Sequence, residues 1–420
     1  MMSLPRRIWR LALVSSLALL LVVWLSACNS STGSSKALSI ATVFPVTGAE
    51  SAVGLAMQHA VDLAVQQNAS LPGGYTLSVT HVDESGGFTD QAVGSLATNS
   101  QIMGIVGPLD SQDAVAMLPG IEQNGIVTIS PSATLPGLTQ SDQAATEGLP
   151  FAQLHPSGKP VAFFRLPQTD IAIGKAAANV AVASQQAHGL AAHSVFIVDD
   201  GTASGKAQAT AFKQELLAKG GSFAGQQSMN IETVGVGQDN TQSVVSAVIE
   251  ANPDIVFFAG GITAGAALRN TLSLTGAPQV PILATGPIAD DPSWGTSVGV
   301  VAAAGYTTAL LPAQDLSKLS GAKDFTTAYH TAYPGEDPLP EGALAYDAAM
   351  DEISAIKSLL AANKPVTRAA VLAAVASAKY SGITGTLSFD QNGDNTTPIG
   401  FSLYSCDTKG NWTYQASIGG

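Results

Sequence analysis

Cysteine is nearly absent. Cys28 and Cys406 are the only two in 420 residues, which excludes a disulfide framework and a structural zinc site built on cysteines. Charge is also scarce. Charged residues make up 12% of the chain, about half the usual share, so neither a coiled coil nor a charge-rich disordered protein fits. Positive charge is the scarcest kind: 18 Lys+Arg stand against 31 Asp+Glu, a net charge of −13. Nucleic acid is excluded as a partner, because phosphate binding needs clustered positive charge. The 42 glycines and 22 prolines are a moderate enrichment without a collagen-like period, and no repeat of about 20–50 residues is present. What remains is a chain that is 46% hydrophobic, able to bury real cores, and long enough for two or three domains of about 100–200 residues each.

The N-terminus predicts a location. Arg6, Arg7 and Arg10 form a basic region ahead of the apolar stretch Leu11 to Leu25, which ends at Leu25-Ser26-Ala27-Cys28. Basic, then apolar, then small is the order of a secretory signal. A membrane-spanning anchor is the alternative, but the stretch lies at the bottom of the spanning range. Arg6-Arg7 faintly resembles a twin-arginine signal, with Pro5 and Arg10 poorly placed for it. The Leu-Ser-Ala-Cys ending resembles a bacterial lipobox, which implies a signal peptide over 1–27, a lipid on Cys28 and a flexible polar tether over 28–36. Removal of residues 1–27 takes away three arginines and no acid, so the net charge falls from −13 to −16. The expected place of work is extracytoplasmic, at a bacterial membrane surface. With Cys28 lipidated, Cys406 has no internal partner and is expected in a half-buried strand.

From Ala37 onward, short β-branched runs alternate with segments of helical period, the pattern of βαβ units and parallel sheets. Strands are expected at 38–44, 76–82, 102–106, 125–130, 195–198, 255–259 and 280–284. Val53, Met57, Ala60, Val61 and Ala64 share one helical face, and Ala211–Lys219 is a helix stopped by Gly220-Gly221. Gly148–Pro160, with three prolines and two glycines, is a loop and a candidate boundary. Ligands in such sheets sit at the carboxyl ends of strands. Those ends are Pro45–Ser51, Asp83–Gly87, Gly107–Ser111, Ser130–Thr134, Asp199–Gly205, Gly260–Gly265 and Gly286–Asp291, mostly rich in Gly, Ser, Thr and Asp.

Eight of these segments resemble a known family in collinear order. They are Val43-Phe44-Pro45-Val46-Thr47-Gly48, Gly107-Pro108-Leu109-Asp110-Ser111, Ile129-Ser130-Pro131-Ser132-Ala133-Thr134 and Phe164-Arg165-Leu166-Pro167, then Asp199-Asp200, Pro253-Asp254-Ile255-Val256, Ala345-Tyr346-Asp347-Ala348 and Gly385-Thr386-Leu387-Ser388-Phe389-Asp390. Together they resemble the type I periplasmic binding proteins of the Leu/Ile/Val (branched-chain amino acid) receptor family, which serve ABC transporters. The resemblance covers nearly all of residues 37–420. It implies an α/β fold of two doubly wound parallel-sheet lobes joined by three hinge crossovers, near Phe164, Gly286 and Gly385. Lobe one is then 37–163 plus 287–385, and lobe two is 164–286 plus 386–420.

The same resemblance implies a site. Ser111 and Thr134, with Ser132 and Ala133 beside them, match positions that hold a ligand carboxylate, and Ser111 opens a helical stretch suited to an anion. Ser111 is equally readable as a helix cap. In lobe two, Ser204 and Gly261 match binding positions, but the family's acidic partner for a ligand ammonium aligns with Ala264, and its two aromatics align with Ser204 and Val53. A buried ammonium without a carboxylate costs several kcal/mol. The ligand is therefore expected to be a carboxylate or polyol-like solute, or an amino acid in a rearranged site where Asp110, Asp200 or Glu50 takes over.

Other motifs do not carry chemistry. Gly201-Thr202-Ala203-Ser204-Gly205-Lys206 is one residue short of a P-loop and is followed by Ala207, so it reads as a strand-end turn. Gly235-Val236-Gly237 lacks the third glycine of a dinucleotide fingerprint. Asp390–Asn395 has its glycine in the wrong place for a calcium loop, with Phe401 where a Glu belongs, and reads as a hairpin turn. The six histidines show no close metal spacing, and His188 and His193 read as a surface loop. No Gly-x-Ser-x-Gly elbow occurs. The reading is a lipid-anchored solute-binding protein, not an enzyme, with no cofactor and no metal. It is expected to be a monomer whose partners are a small-molecule solute and an ABC permease; a lipoprotein that senses its ligand for a membrane receptor is the alternative.

Overall fold

In the computed structural model, residues 36–419 are described except 88, 231–238, 287, 290 and 300–303. The signal region, Cys28, nearly all of the tether, and Gly235-Val236-Gly237 lie outside the described residues. Two sheets carry the fold. The first contains β1 (Ala37–Phe44), β2 (Ser70–Leu71), β3 (Tyr75–Asp83), β4 (Ile102–Val106), β5 (Val127–Ser130) and β6 (Phe163–Arg165), in the order β2-β3-β1-β4-β5-β6. The second contains β7 (Ser194–Asp199), β8 (Ser222–Ser228), β9 (Ile255–Ala259), β10 (Ile282–Thr285) and β11 (Thr307–Leu311). A small pair, β12 (Tyr380–Ser381) and β13 (Thr386–Leu387), precedes the last two strands of the second sheet, β14 (Phe401–Cys406) and β15 (Trp412–Ile418). Its order is β15-β14-β11-β10-β9-β7-β8, with β14 and β15 antiparallel at one edge.

The strands read from β-branched runs are all present, shifted by a residue or two at their ends. β4 (IMGIV) and β9 (IVFFA) are buried at every position, as parallel strands with both faces covered must be. The helix Ser51–Gln66 buries Val53, Met57, Ala60, Val61 and Ala64, the face its periodicity predicts. The expected helix at 211–219 is the second half of a longer one, Ala203–Ala218, stopped by Gly220 at φ 80°. Cys406 is more buried than expected, at 5% exposure in β14.

Two expectations about chain path change. Gly148–Pro160 contains a one-turn helix, Phe151–Leu154, and is no boundary, because the chain stays in the first sheet through β6. The chain then leaves that sheet after Arg165, close to the expected crossover. The second crossover is displaced. Residues 287–385 are expected in the first lobe, yet β11 pairs in parallel with β10, Ile282 opposite Thr307 through Thr285 opposite Leu310. The return therefore begins after Leu311, since sheet membership is fixed by hydrogen bonds to a strand some 25 residues away and not by the local run. The helices Leu339–Ala361 and Arg368–Ser377 then pack on β4 and β5.

Two of the connecting segments are tied together. Arg165, fully buried, donates from its backbone N–H to Gly393 O (3.0 Å), from Nε to Asp394 Oδ1 (2.7 Å) and from Nη1 to Leu135 O (2.6 Å). Asp394 belongs to the turn 390–395, in which Asp390 Oδ1 accepts from the N–H groups of Asn392 and Asp394. That is a hairpin turn, as its sequence predicts. A buried guanidinium holding one carboxylate and one carbonyl fixes both strands against each other and against the loop that carries Thr134.

Candidate solute-binding cleft

The carboxyl ends of both sheets open onto one cavity of about 330 Å³. From the first sheet come Glu50 and Val53 after β1, Leu109–Gln112 after β4, and Pro131, Ser132 and Thr134 after β5. From the second come Asp200, Thr202 and Ser204 after β7, Gly260 and Gly261 after β9, and Leu311–Ala313 after β11. Glu341 and Leu344 on the helix Leu339–Ala361 complete the wall.

On the first side, the turn after β4 depends on Gly107. Its φ is 124°, and a β-carbon there would stand 2.3 Å from Val43 O, so no other residue fits without displacing β1. The turn delivers Asp110 and Ser111 to the N-terminus of the helix Ser111–Asn124. Ser111 Oγ accepts hydrogen bonds from Thr134 N (3.1 Å) and Leu135 N (3.2 Å). Thr134 Oγ1 donates to Asp170 Oδ1 (2.7 Å), and Ser132 Oγ donates to Leu109 O (2.8 Å). Asp170 is fully buried and also accepts from Gln208 Nε2 (2.7 Å); burial pushes its pKa up. The expected carboxylate-binding groups are thus brought together, but most of their donors are already engaged with one another. Ala133 does not reach the cleft. It is fully buried in a core cluster with Leu118, Leu135 and Phe163, because its N–H turns inward to Ser130 Oγ (2.8 Å).

On the second side, Asp200 organises the turns. Its Oδ1 accepts from Thr202 N (3.0 Å) and Thr202 Oγ1 (2.6 Å), and its Oδ2 accepts from Gly261 N (3.0 Å). A β-carbon at Gly260 would stand 2.6 Å from the Asp200 side chain, so glycine is required for this close approach. Thr202 caps the helix Ala203–Ala218 by accepting from Gly205 N, which makes the P-loop-like segment a capped strand-end turn. Ser204 and Val53, the residues at the family's two aromatic positions, both line the cavity. Ala264 is 4% exposed and belongs to the core.

The electrostatics are one-sided. Glu50, Asp110, Asp200 and Glu341 line the cavity, and among the described residues its lining holds no Lys, Arg or His. Burial, then the Asp110 carboxyl beside it, then Asp291 and Asp113 push Glu50 up to about 8. Burial likewise pushes Asp110 up, with Asp113 and Asp200 adding to the effect. Just behind them, Glu84 is 2% exposed and accepts from Leu109 N (2.9 Å); burial and then Asp113 and Asp110 push it up to about 10. Glu50 also reaches the opposite side, since a β-carbon at Gly261 would stand 3.9 Å from Glu50 Oε1. The Glu50 carboxyl, on the first sheet's side, therefore lies near the Gly260–Gly261 turn of the second.

Seven of the eight expected ligand contacts, Asp110, Ser111, Ser132, Thr134, Asp200, Ser204 and Gly261, line this cavity. Glu341, Gln208 and Thr285 join them without having been expected. Glu50 had a signal, since it stands in the loop after β1. Glu341 had none, because it lies on a helix that no strand end precedes. No group of three or more His, Cys, Asp or Glu is placed to hold a metal among the described residues. None of their helices is long and apolar enough to cross a membrane.

Comparison with known proteins agrees with this geometry. The profile of a family described as periplasmic binding protein matches residues 37–411. Comparison with curated proteins found no significant match. Among solved structures, a leucine-binding protein LivK from Thermotoga maritima superposes with a TM-score of 0.74 at 21% identity, covering 91% of this chain and 99% of that one. The branched-chain amino acid binding protein LivJ from Streptococcus pneumoniae, in complex with isoleucine, gives 0.72 at 20% identity with the same coverage. A solute-binding protein from R. palustris in complex with benzoate gives 0.67 at 19% identity, covering 91% and 96%.

Proposed function

Because this chain belongs to the periplasmic binding protein family, we propose that it is the solute-capturing lipoprotein of an ABC transporter. It is exported, lipidated at Cys28, and held by residues 28–36 as a monomer at the outer side of the membrane. One lobe is built on the first sheet with the helices of residues 339–377, the other on the second sheet. The carrying observation is a cavity lined by strand-end loops of both sheets, where closing and opening alone can capture and release a solute. Hydrogen bonds and apolar contact suffice for that, with no covalent step. Solved relatives are described in complex with isoleucine, Leu, benzoate or 3,4-dihydroxybenzoic acid, which marks small amino acids, amides and carboxylates as the first solutes to try.

The test is thermal unfolding of the full chain in mild detergent against amino acids, amides, amines, carboxylates and sugars. A solute at about 100 times its dissociation constant adds about 2.7 kcal/mol, a shift of about 3 °C for a folded body of this size. A saturable shift with one class supports the reading, and silence across the whole panel overturns it. Uptake of the bound solute then separates transport from sensing: deletion of the chain abolishes uptake in the first case and leaves it intact in the second.

A further inference from the structure

We propose that the cleft selects an organic amine cation that carries no carboxylate, with its ammonium held by Glu50 and Asp110. This rests on the reading of the cavity as a solute site and names the chemical class of the solute.

Three observations point the same way. First, four carboxyl side chains line the cavity with no basic side chain among the described lining residues, so a cation is attracted and an anion repelled. Second, several of the loop N–H groups that could hold a ligand carboxylate are already engaged. Thr134 N and Leu135 N point to Ser111 Oγ, Ser132 N and Ala133 N to Ser130 Oγ, Leu109 N to Glu84 Oε1, and Gly261 N to Asp200 Oδ2. A ligand carboxylate that uses these loop donors has to break their bonds while it approaches four acids, and a buried anion left without donors costs several kcal/mol. Third, the Glu50 carboxyl faces Asp110 on its own side and the Gly260–Gly261 turn on the other. An ammonium with three N–H donors fits between the lobes there, contacting acceptors from both. An apolar part of the wall, formed by Val53, Met57, Leu109, Ile173 and Leu344, suits a short hydrocarbon body.

The wild-type chain tests this with four probes that share one side chain: leucine, leucinamide, isoamylamine and isocaproate. Isothermal titration of the full chain at pH 8 is expected to show binding of leucinamide and isoamylamine, at least tenfold weaker binding of leucine, and none of isocaproate. Glu50→Gln and Asp110→Asn are each expected to weaken the amines by at least tenfold while the thermal transition stays cooperative. Tighter binding of leucine than of leucinamide, or binding of isocaproate, overturns the amine class but leaves solute capture standing. Silence of both amines also overturns it, and a broader panel that is silent as well removes the solute-binding reading too.

Discussion

Glu84→Gln is expected to stabilise the protein at neutral pH. The Glu84 carboxyl is 2% exposed, its Oε1 accepts from Leu109 N, and its Oε2 has no partner. Burial, with Asp113 and Asp110 beside it, moves its pKa from 4.5 to about 10. The unfolded chain therefore releases this proton above about pH 4.5 while the folded chain keeps it. A raised acid pKa contributes stability that is fully present below the unfolded value and lost as pH rises toward the folded one. At pH 7 the loss spans about 2.5 units, or about 3 kcal/mol at 1.36 kcal/mol per unit. Glutamine keeps the acceptor for Leu109 N–H and places a polar group where the protonated Oε2 stood, so it removes the proton linkage at little other cost. The gain of about 3 kcal/mol corresponds to about 4 °C in Tm.

The assay is urea unfolding of wild type and variant at pH 5, 7 and 9. Other buried acids with raised pKa values, among them Glu352 and Asp351, make the wild type lose stability with pH as well, so the readout is the difference between the two proteins. That difference is expected to be small at pH 5 and to grow with each unit. A difference that is flat between pH 5 and 9, or a variant less stable at every pH, refutes the account of Glu84 as a buried neutral acid.

Three further outcomes are expected. Amine affinity is expected to rise about tenfold from pH 6 to 7 and about fivefold from pH 7 to 8, because Glu50, pushed up to about 8, must lose its proton to hold an ammonium; titration at pH 6, 7 and 8 measures this, and a flat affinity contradicts it. The groups facing Glu50 (Asp110, Asp113 and Asp291) are all acids, so none can supply a compensating positive charge. Arg165→Met is expected to cost about 3–5 kcal/mol in urea unfolding, since it strips Asp394 of its cation and Leu135 O and Thr139 of their donors; Arg165→Lys restores little of it, because one ammonium cannot span those partners. Cys406 is expected to resist thiol reagents until the protein unfolds, because burial and then Asp407 push its thiol up to about 12; rapid labelling in the native state argues for an opening of the β14–β15 edge.

Legibility followed burial only in part: β3 is expected at 76–82 although little of it is buried, and β11 and β14 have no expected strand although they are buried at nearly every position. β1, β4 and β9 could be read because each is an apolar run buried at nearly every position. β8 (SFAGQQS) could not, since it is a half-buried edge strand whose pairing to β7 supplies the order its composition does not. The displaced crossover has the same cause. Thr285 and Leu311 both end short strands before a Gly or Pro, and only pairing with β10 assigns β11 to the second sheet. The site divides along the same line. Strand-end loops announce which residues reach the cleft, so seven of eight expected contacts are there. What those residues have left to offer a ligand is a tertiary property: Ser111 lies 23 and 24 residues before the two N–H groups it accepts, and Glu50 reaches a turn more than 200 positions away. Sequence alone therefore left open a carboxylate, a polyol-like solute and an amino acid in a rearranged site, on residues that nearly all line the cavity. The hydrogen bonds among those residues, together with the acids from three other segments, favour the amine cation proposed above over each of these.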